Sequence, residues 1–139
     1  MAINVLKPGL STTVQDLGRP GYYHIGIPTS GGMDTLSLAA ANLLVGNDAG
    51  AAVLEAVFMG PELEFTQDAM VAVTGADLPP KVDGQEMPCW TSFKVKKGQV
   101  LSFGFLKKGA RGYIAVSGGI DVPVVLGSRS TYTLGALGG

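Results

Sequence analysis

Short apolar runs separated by turn residues make up most of the chain. Each run is three to six residues long and is bounded by Gly, Pro or Asp. Runs of this length between turn residues are typical of antiparallel strands. The pattern therefore predicts strands at residues 3–6, 53–58, 63–65, 70–74, 93–95, 100–103 and 113–117.

One segment has a helical period. Between Asp34 and Val45, apolar residues recur at the i, i+3, i+4, i+7 spacing of one helix face, namely Leu36, Ala39, Ala40, Leu43 and Leu44. Alanine-rich sequence and the following Gly46 favour a helix that ends there. Ser30 or Asp34 could cap the first turn, because a side-chain oxygen there accepts a backbone N–H that has no partner within the helix. A shorter helical turn is predicted at residues 122–126.

Composition supports a mainly β fold. Glycine accounts for 21 of 139 residues and proline for 8, while charged residues make up only 15%. Glycine is costly inside helices and useful in tight turns, so its excess favours many strands over many helices. The apolar share of 46% is enough for a core and excludes intrinsic disorder. We expect a β-barrel or sandwich with one or two short helices, and the length fits one domain or part of one.

Charge and cysteine content exclude several classes of protein. The formal net charge is −1, so no overall field draws the chain to nucleic acid or to an anionic membrane. The longest uncharged apolar stretch, residues 35–47, is too short to span a bilayer, and residues 1–7 lack the pattern of a secretory signal. Cys89 is the only cysteine, which excludes a disulfide framework. We expect a cytoplasmic protein with no nucleic-acid or membrane partner.

The small net charge hides an asymmetry. Residues 1–86 contain three basic and ten acidic residues, whereas residues 87–139 contain seven basic and one acidic. Lysine pairs precede glycine at residues 96–98 and 107–109. These lysines could form a docking face for an acidic partner or an anionic ligand. The simpler interpretation is two exposed hairpin turns, since Lys and Gly suit such turns.

Two polar, glycine-rich segments in the first third of the chain could carry chemistry. Residues 12–21 place Asp16 and Arg19 three positions apart, so the guanidinium could bind a planar anion, or the pair could simply close a loop. Residues 27–34 lead into the predicted helix, where adjacent glycines and the helix N-terminus favour an anion. Ordinary capping is the alternative. Asp34 there is expected to have a lowered pKa and to act by hydrogen bonding more than by proton abstraction.

Two further polar segments lie near the end of the chain. In residues 111–121 a predicted strand ends at adjacent glycines, where a ligand or another backbone can approach closely. Residues 126–132 contain a row of Ser, Thr and Arg that we interpret as binding groups or as a solvated loop, because no nearby base would activate a hydroxyl. His24, the only histidine, lies among apolar residues and is interpreted as structural, so no metal site is predicted.

Six ordered motifs resemble one known family. They are QDLGR at 15–19, SGGMD at 30–34, ANLLVGN at 41–47, TGA at 74–76, YIAVSGGID at 113–121 and LGSRST at 126–131. Together they resemble the biotin-dependent carboxyltransferase family called allophanate hydrolase subunit 2. That family includes the C subunit of bacterial 5-oxoprolinase and part of the carboxyltransferase region of urea carboxylase. The resemblance covers essentially the whole chain.

The resemblance implies a fold and a set of activities. The family has a cyclophilin-like β-barrel and works with a subunit 1-type companion that carries a related barrel. Its complexes open a lactam with ATP or move a carboxyl group from carboxybiotin to urea, and one member antagonises a companion that inhibits a sporulation kinase. Because family members continue past residue 139, we expect residues 1–139 to form the N-terminal part of the domain. Its barrel would be incomplete or completed by another copy of the chain. Gly32 stands where alanine is more usual and is expected only to loosen the backbone.

The matching motifs imply candidate site residues. The catalytic candidates are Asp16, Arg19, Asp34 and Arg129. The substrate-binding candidates are Ser30, Gly31, Met33, Arg111, Gly118, Gly119, Ser128, Ser130 and Thr131. The arginines would bind carboxylate, carbonate or phosphate oxygens, and the aspartates would orient them.

The chain has neither a biotinylation motif nor a phosphate loop, so ATP or carboxybiotin is expected to come through partner subunits. Three hypotheses stay open. The chain could be an enzyme subunit for a small lactam, amide or ureido substrate, or a non-catalytic regulatory partner of a subunit 1-type protein. The third is an independent barrel that binds a small molecule.

Overall fold

A computed structural model describes residues 3–9, 12–17, 32 and 34–120 of the chain. Nearly half of these residues lie in strands, which confirms the predicted mainly β fold. The strands are β1 (Ile3–Lys7), β2 (Thr12–Gln15), β3 (Val53–Val57), β4 (Glu62–Phe65), β5 (Ala69–Asp77), β6 (Pro80–Val82), β7 (Gln85–Glu86), β8 (Ser92–Val95), β9 (Val100–Phe103) and β10 (Lys108–Val116). The helix α1 (Thr35–Leu44) lies between β2 and β3.

The described strands form two five-stranded antiparallel sheets. One sheet has the order β1-β4-β9-β6-β7, and the other has the order β2-β3-β10-β5-β8. Hydrogen bonds between these strands close no ring within the described residues. A cyclophilin-like barrel therefore stays a prediction.

The second sheet is covered on both faces. Ile114 and Val116 of its central strand β10 belong to the main core, together with Leu63 and Phe65 of the first sheet. The alternate residues of β10 belong to a smaller cluster with Leu38 and Ala41 of α1. Burial on both sides explains why residues 113–116 read as a continuous apolar run, because successive strand residues point to opposite faces.

The helix lies where the sequence places it, but the face predicted from apolar spacing is wrong. The side of α1 that is buried carries Ser37, Leu38, Ala41 and Asn42, whereas the side chain of Leu36 is 79% exposed. Two polar contacts fix this rotation. The carbonyl oxygen of Ser37 accepts a 2.6 Å hydrogen bond from the Thr74 hydroxyl, and the Asn42 amide donates to backbone carbonyls of the loop before β3. The spacing of apolar residues along the chain does not predict such polar contacts.

The seven strands predicted from sequence are confirmed, with bounds that differ by a few residues. Strands β2, β6 and β7 were not predicted, since their sequences are short and polar or contain proline. Residues 97–98 form the expected turn, but residues 108–109 open β10 instead of forming a second turn. The helical turn predicted at residues 122–126 lies outside the described residues. In the described ranges, no helix is long and apolar enough to cross a membrane.

Candidate functional site

A cleft of about 560 Å³ opens where β5 ends and β10 begins, beside the first turn of α1. Its lining combines polar and charged groups from the helix with two glycines and an indole from the sheet. The lining residues are Asp34, Ser37, Gly75, Ala76, Asp77, Trp90, Lys108, Gly109, Ala110 and Arg111. Two residues that the sequence selected, Asp34 and Arg111, therefore meet in one cleft.

Asp34 caps α1 with both carboxylate oxygens. Oδ1 accepts a 3.0 Å hydrogen bond from the backbone N–H of Ser37, and Oδ2 accepts a 2.6 Å bond from the Ser37 hydroxyl. The hydroxyl bond and then the N–H bond hold the pKa of Asp34 below its ordinary value. The cap and the lowered pKa predicted from sequence are confirmed. A carboxylate of this kind accepts hydrogen bonds and is a poor proton acceptor at neutral pH.

Arg111 is a cation of the cleft whose side chain contacts a neighbouring strand. Its Nε lies 3.9 Å from Oε1 of Glu55 on the neighbouring strand β3, and its side chain is 36% exposed. Glu55 itself is buried, and its Oε2 accepts a 2.6 Å hydrogen bond from the hydroxyl of Tyr113. The guanidinium is thus anchored on one edge and open to the cleft on another. Such a group can bind a carboxylate or a carbonyl oxygen.

Gly75 forms the wall of the cleft next to Arg111. Its φ is +83°, and a Cβ at this position would lie 2.6 Å from the carbonyl oxygen of Arg111. The pairing of β5 with β10 shifts register between Lys108 and Gly112, at the same level. A positive φ and a close backbone approach both require glycine. The TGA motif at 74–76 is therefore the sequence signal of an irregular strand pair beside the cleft.

Trp90 lies on the sheet side of the cleft in a conformation that is unusual for a non-glycine residue. Its φ is +59°, and its backbone N–H donates a 2.8 Å hydrogen bond to the carbonyl of Val73 in β5. The side chain is 49% exposed and lines the cleft. Trp90 is not among the site residues predicted from the sequence. As the only tryptophan, next to a glycine- and proline-rich stretch, it offered only a weak signal.

The other described candidates do not line the cleft. Asp16 is buried after β2, and its carbonyl oxygen accepts a 2.9 Å hydrogen bond from the Gly32 N–H, so two of the predicted segments meet there. Gly118 and Gly119 follow the opposite end of β10, roughly 20 Å or more along the strand from Arg111. The Gly118 N–H donates to the Asn47 side chain. The binding functions predicted for these residues stay predictions.

The remaining candidates lie outside the described residues. They are Arg19, Ser30, Gly31, Met33, Ser128, Arg129, Ser130 and Thr131, together with His24. In the part of the chain that the structure describes, no three His, Cys, Asp or Glu side chains group as metal ligands.

Gly32 has a closer packing function than the sequence suggested. A Cβ at this position would lie 2.5 Å from Cδ1 of Leu38 and 3.2 Å from the ring of Tyr113. Gly32 thus allows a close approach to the helix and the sheet at this position, and the looser backbone expected here stays a prediction.

Glu55 and Tyr113 are also not among the site residues predicted from the sequence. Glu55 is a charged residue in the middle of an apolar strand, and buried acids are rare unless they are paired. That placement was an available signal. Tyr113 opens an apolar run and looks like an ordinary core residue, so nothing in its sequence context marked its hydroxyl.

The chain is similar to a protein family and to individual proteins over most of its length. The sequence model of the family described as "Carboxyltransferase domain, subdomain A and B" matches residues 25–139. The chain is 45% identical to urea amidolyase of Saccharomyces cerevisiae and 42% identical to the C subunit of 5-oxoprolinase of Escherichia coli, in both cases over 99% of its length. It spans 8% of the first protein and 44% of the second.

The fold agrees with that of a solved relative. The crystal structure of K. lactis urea amidolyase superposes with a TM-score of 0.96 at 42% identity, over 99% of this chain and 8% of that protein. The matches in sequence and fold extend over both sheets and the cleft. The chain therefore belongs to the carboxyltransferase domain family, in the part described as subdomains A and B.

Proposed function

We propose that the chain is a part of an ATP-dependent amidohydrolase of the 5-oxoprolinase or allophanate hydrolase type, or of a biotin-dependent carboxyltransferase. Its substrate would be a small lactam, amide or ureido compound. Support comes from the names of its relatives, urea amidolyase and the C subunit of 5-oxoprolinase. Because the chain spans less than half of each, the activity belongs to the whole assembly and this chain contributes one binding site to it.

The observation that carries this proposal is the meeting of two cationic side chains, Arg111 and Lys108, in one cleft. Both line the cleft beside the first turn of α1, whose cap is Asp34. Fixed positive groups stabilise negative charge that develops on a carbonyl or carboxylate oxygen, by several kcal/mol for one donor. A lactam, an amide and a ureido group all develop such charge when they are attacked or carboxylated.

Within this site, Arg111 binds the substrate oxygen and Asp34 fixes the first turn of α1. Asp34 is fully engaged with Ser37, so it orients groups and does not take up a proton. The indole of Trp90 offers an apolar face for the body of the substrate. We assign Arg19 and Arg129 to the same anion-binding function on the strength of their motifs. ATP or carboxybiotin would be held by a subunit 1-type companion, in the cytoplasm.

The test is a turnover assay of the chain with its subunit 1-type companion, ATP and 5-oxoproline. We expect Arg111→Ala to lower kcat/KM roughly a hundredfold, as for the loss of one oxyanion donor. Arg111→Lys should recover only part of this loss, because an ammonium lacks the planar fork. Lys94→Ala, at an exposed lysine of β8 that lines neither the cleft nor the groove, is the control. Wild-type turnover by Arg111→Ala would rule out this site.

A second candidate function rests on a separate groove of about 730 Å³. The groove is lined by Phe58, Met59 and Phe105, whose side chains are 55%, 59% and 95% exposed. Lys107 lies on the same groove, and adjacent Lys108 lines the cleft. Exposed aromatic residues favour a protein contact, which fits a regulatory chain that docks a companion. Co-purification with the companion at low and high salt distinguishes lysine-mediated docking from apolar docking, since salt weakens only the former.

A further inference from the structure

A row of polar side chains crosses the second sheet beneath the first turn of α1. Thr13, Glu55, Tyr113 and Thr74 lie directly opposite one another on β2, β3, β10 and β5. Directly opposed residues share a face of the sheet, and this face is the one that α1 covers. Burying polar groups in the middle of a sheet is unfavourable unless each one is hydrogen-bonded. The hydrogen bonds and ion pairs of these side chains therefore show which parts of the site they connect.

The hydroxyl of Tyr113 joins the sheet to the helix. It donates a 2.6 Å hydrogen bond to Oε2 of Glu55 and accepts a 2.8 Å bond from the backbone N–H of Asp34. The ring of Tyr113 is fully buried against α1. One buried atom thus fixes the position of the cap residue relative to strand β3.

The carboxylate of Glu55 joins the same hydroxyl to a cation of the cleft. While Oε2 contacts Tyr113, Oε1 lies 3.9 Å from Nε of Arg111. Arg111 lies two residues before Tyr113 on β10, and therefore on the same face of the sheet. The contacts form a chain from the first turn of α1 through Tyr113 and Glu55 to Arg111.

We propose that Glu55 and Tyr113 are positioning residues that hold the guanidinium of Arg111 and the N-terminus of α1 at a fixed separation across the cleft. This inference rests on the proposed function, since the separation matters only if the cleft binds substrate. Neither residue lines the cleft, so both act through Arg111 and Asp34 and do not touch the substrate. A site of this kind needs such support, because a donor misplaced by about 1 Å can cost a hundredfold in rate.

The chemistry of the two residues fits positioning better than proton transfer. Burial, and then the hydrogen bond to Glu55, raises the pKa of the Tyr113 hydroxyl above its ordinary value. The hydroxyl therefore stays protonated at neutral pH and serves as a fixed donor to the carboxylate. A donor that never ionises keeps the same geometry across the working pH range.

A double-mutant cycle between Glu55→Gln and Arg111→Ala tests the proposal. Glutamine keeps an oxygen that can accept from Tyr113 but removes the negative charge that faces Arg111. We expect Glu55→Gln to lower kcat/KM about tenfold in the wild-type background and less than twofold in the Arg111→Ala background. The control is Glu64→Gln, the same change at a partly exposed carboxylate on the other sheet, which should leave kcat/KM unchanged in both backgrounds.

A purely structural effect would behave differently. An equal loss from Glu55→Gln in both backgrounds, or no loss in either, overturns the positioning function while the proposed function stands. Full activity of Arg111→Ala overturns the proposed function and the positioning function together. Where Glu55→Gln does not fold, Tyr113→Phe replaces it in the same cycle with the same expected coupling.

A direct readout of the guanidinium accompanies the kinetics. In the wild type, ¹⁵N relaxation of the Nε–H group of Arg111 should report an ordered side chain. In Glu55→Gln we expect its order parameter to fall, with no change at the exposed backbone of residues 96–98. An unchanged order parameter at Arg111 would overturn the positioning function whatever the turnover rate.

Discussion

At the scale of single residues, Asp34 connects the fold to the site. Its carboxylate closes the first turn of α1 through Ser37, and its backbone N–H contacts the buried hydroxyl of Tyr113. A single residue thus starts the helix and fixes the border of the cleft. The sequence revealed the first of these functions, because Asp before an alanine-rich run is a common N-cap. The contact with Tyr113 spans 79 positions and could not be derived from a local pattern.

The cap predicts a stability that depends on pH. Hydrogen bonds from Ser37 hold the pKa of Asp34 in the folded chain below its ordinary value of 3.8. The folded pKa is thus the lower one, so the stabilisation is complete above the unfolded pKa and is lost as pH falls through the folded pKa. Asp34→Ala should lower the free energy of unfolding by about 1 kcal/mol at pH 7.

Urea denaturation of the wild type and of Asp34→Ala at pH 7 and pH 3 measures this effect. The difference between the two proteins should shrink at pH 3. Asp48→Ala, at an exposed acid in the loop after α1, is the control. A difference that is as large at pH 3 as at pH 7 would contradict the capping by the ionised carboxylate.

At the scale of elements, the orientation of α1 separates what apolar spacing can predict from what it cannot. The apolar period of residues 34–45 predicted that a helix is present and where it begins and ends, because these features follow from helix propensity and capping. The buried face depends on contacts with Thr74 and with the loop before β3, which are distant in sequence. Strand β2 lies in a polar segment and was not predicted, because its pairing with β3 is also a distant contact. The strongly apolar β9 was predicted with its observed bounds.

The rotation of the helix predicts unequal effects for two leucines in its sequence. Leu38 is fully buried against β3 and β10, whereas Leu36 is 79% exposed. Leu38→Ala should lower the free energy of unfolding by about 2–5 kcal/mol, because it leaves a cavity. Leu36→Ala should change it by less than about 0.5 kcal/mol. Chemical denaturation of the two variants measures both changes in the free energy of unfolding. Equal losses of stability would mean that the buried face of the helix is assigned wrongly.

The glycine wall of the cleft can be tested with a matched pair of substitutions. Gly75 and Gly84 both have a φ of +83°, but only Gly75 is close to other atoms, with 2.6 Å from a would-be Cβ to the carbonyl oxygen of Arg111. Gly84→Ala should cost about 1–2 kcal/mol of stability from the positive φ alone. Gly75→Ala should cost clearly more, because the backbone of β10 must also move.

The comparison of Gly75→Ala with Gly84→Ala by thermal and urea unfolding checks this difference. The Gly75 variant should also change the chemical shift of the Arg111 amide, since the clash is with that residue. Equal losses of stability in the two variants would show that the strand pair beside the cleft can relax without cost.

At the scale of the whole molecule, the two candidate surfaces lie side by side, the cleft at one end of the second sheet and the groove along the ends of the first-sheet strands β4, β6 and β9. The polar cleft and the apolar groove meet at residues 107–108, where β10 begins. A companion seated in the groove would therefore border the cleft, so the catalytic and regulatory hypotheses concern neighbouring surfaces. The motifs indicated the family and one cleft residue, Asp34, whereas Arg111 was selected from the polar segment at residues 111–121. Their meeting depends on the order of strands in the sheet, which local sequence does not encode.

Binding of substrate in the cleft between α1 and the start of β10 can be measured by ¹H–¹⁵N chemical shift mapping of the chain during titration with 5-oxoproline. We expect the largest amide shifts at Asp34, Ser37, Gly75 and Arg111, and we expect Arg111→Ala to abolish them. Largest shifts at Gly118 and Gly119, at the opposite end of β10, or no shifts at the cleft, would contradict binding in this cleft.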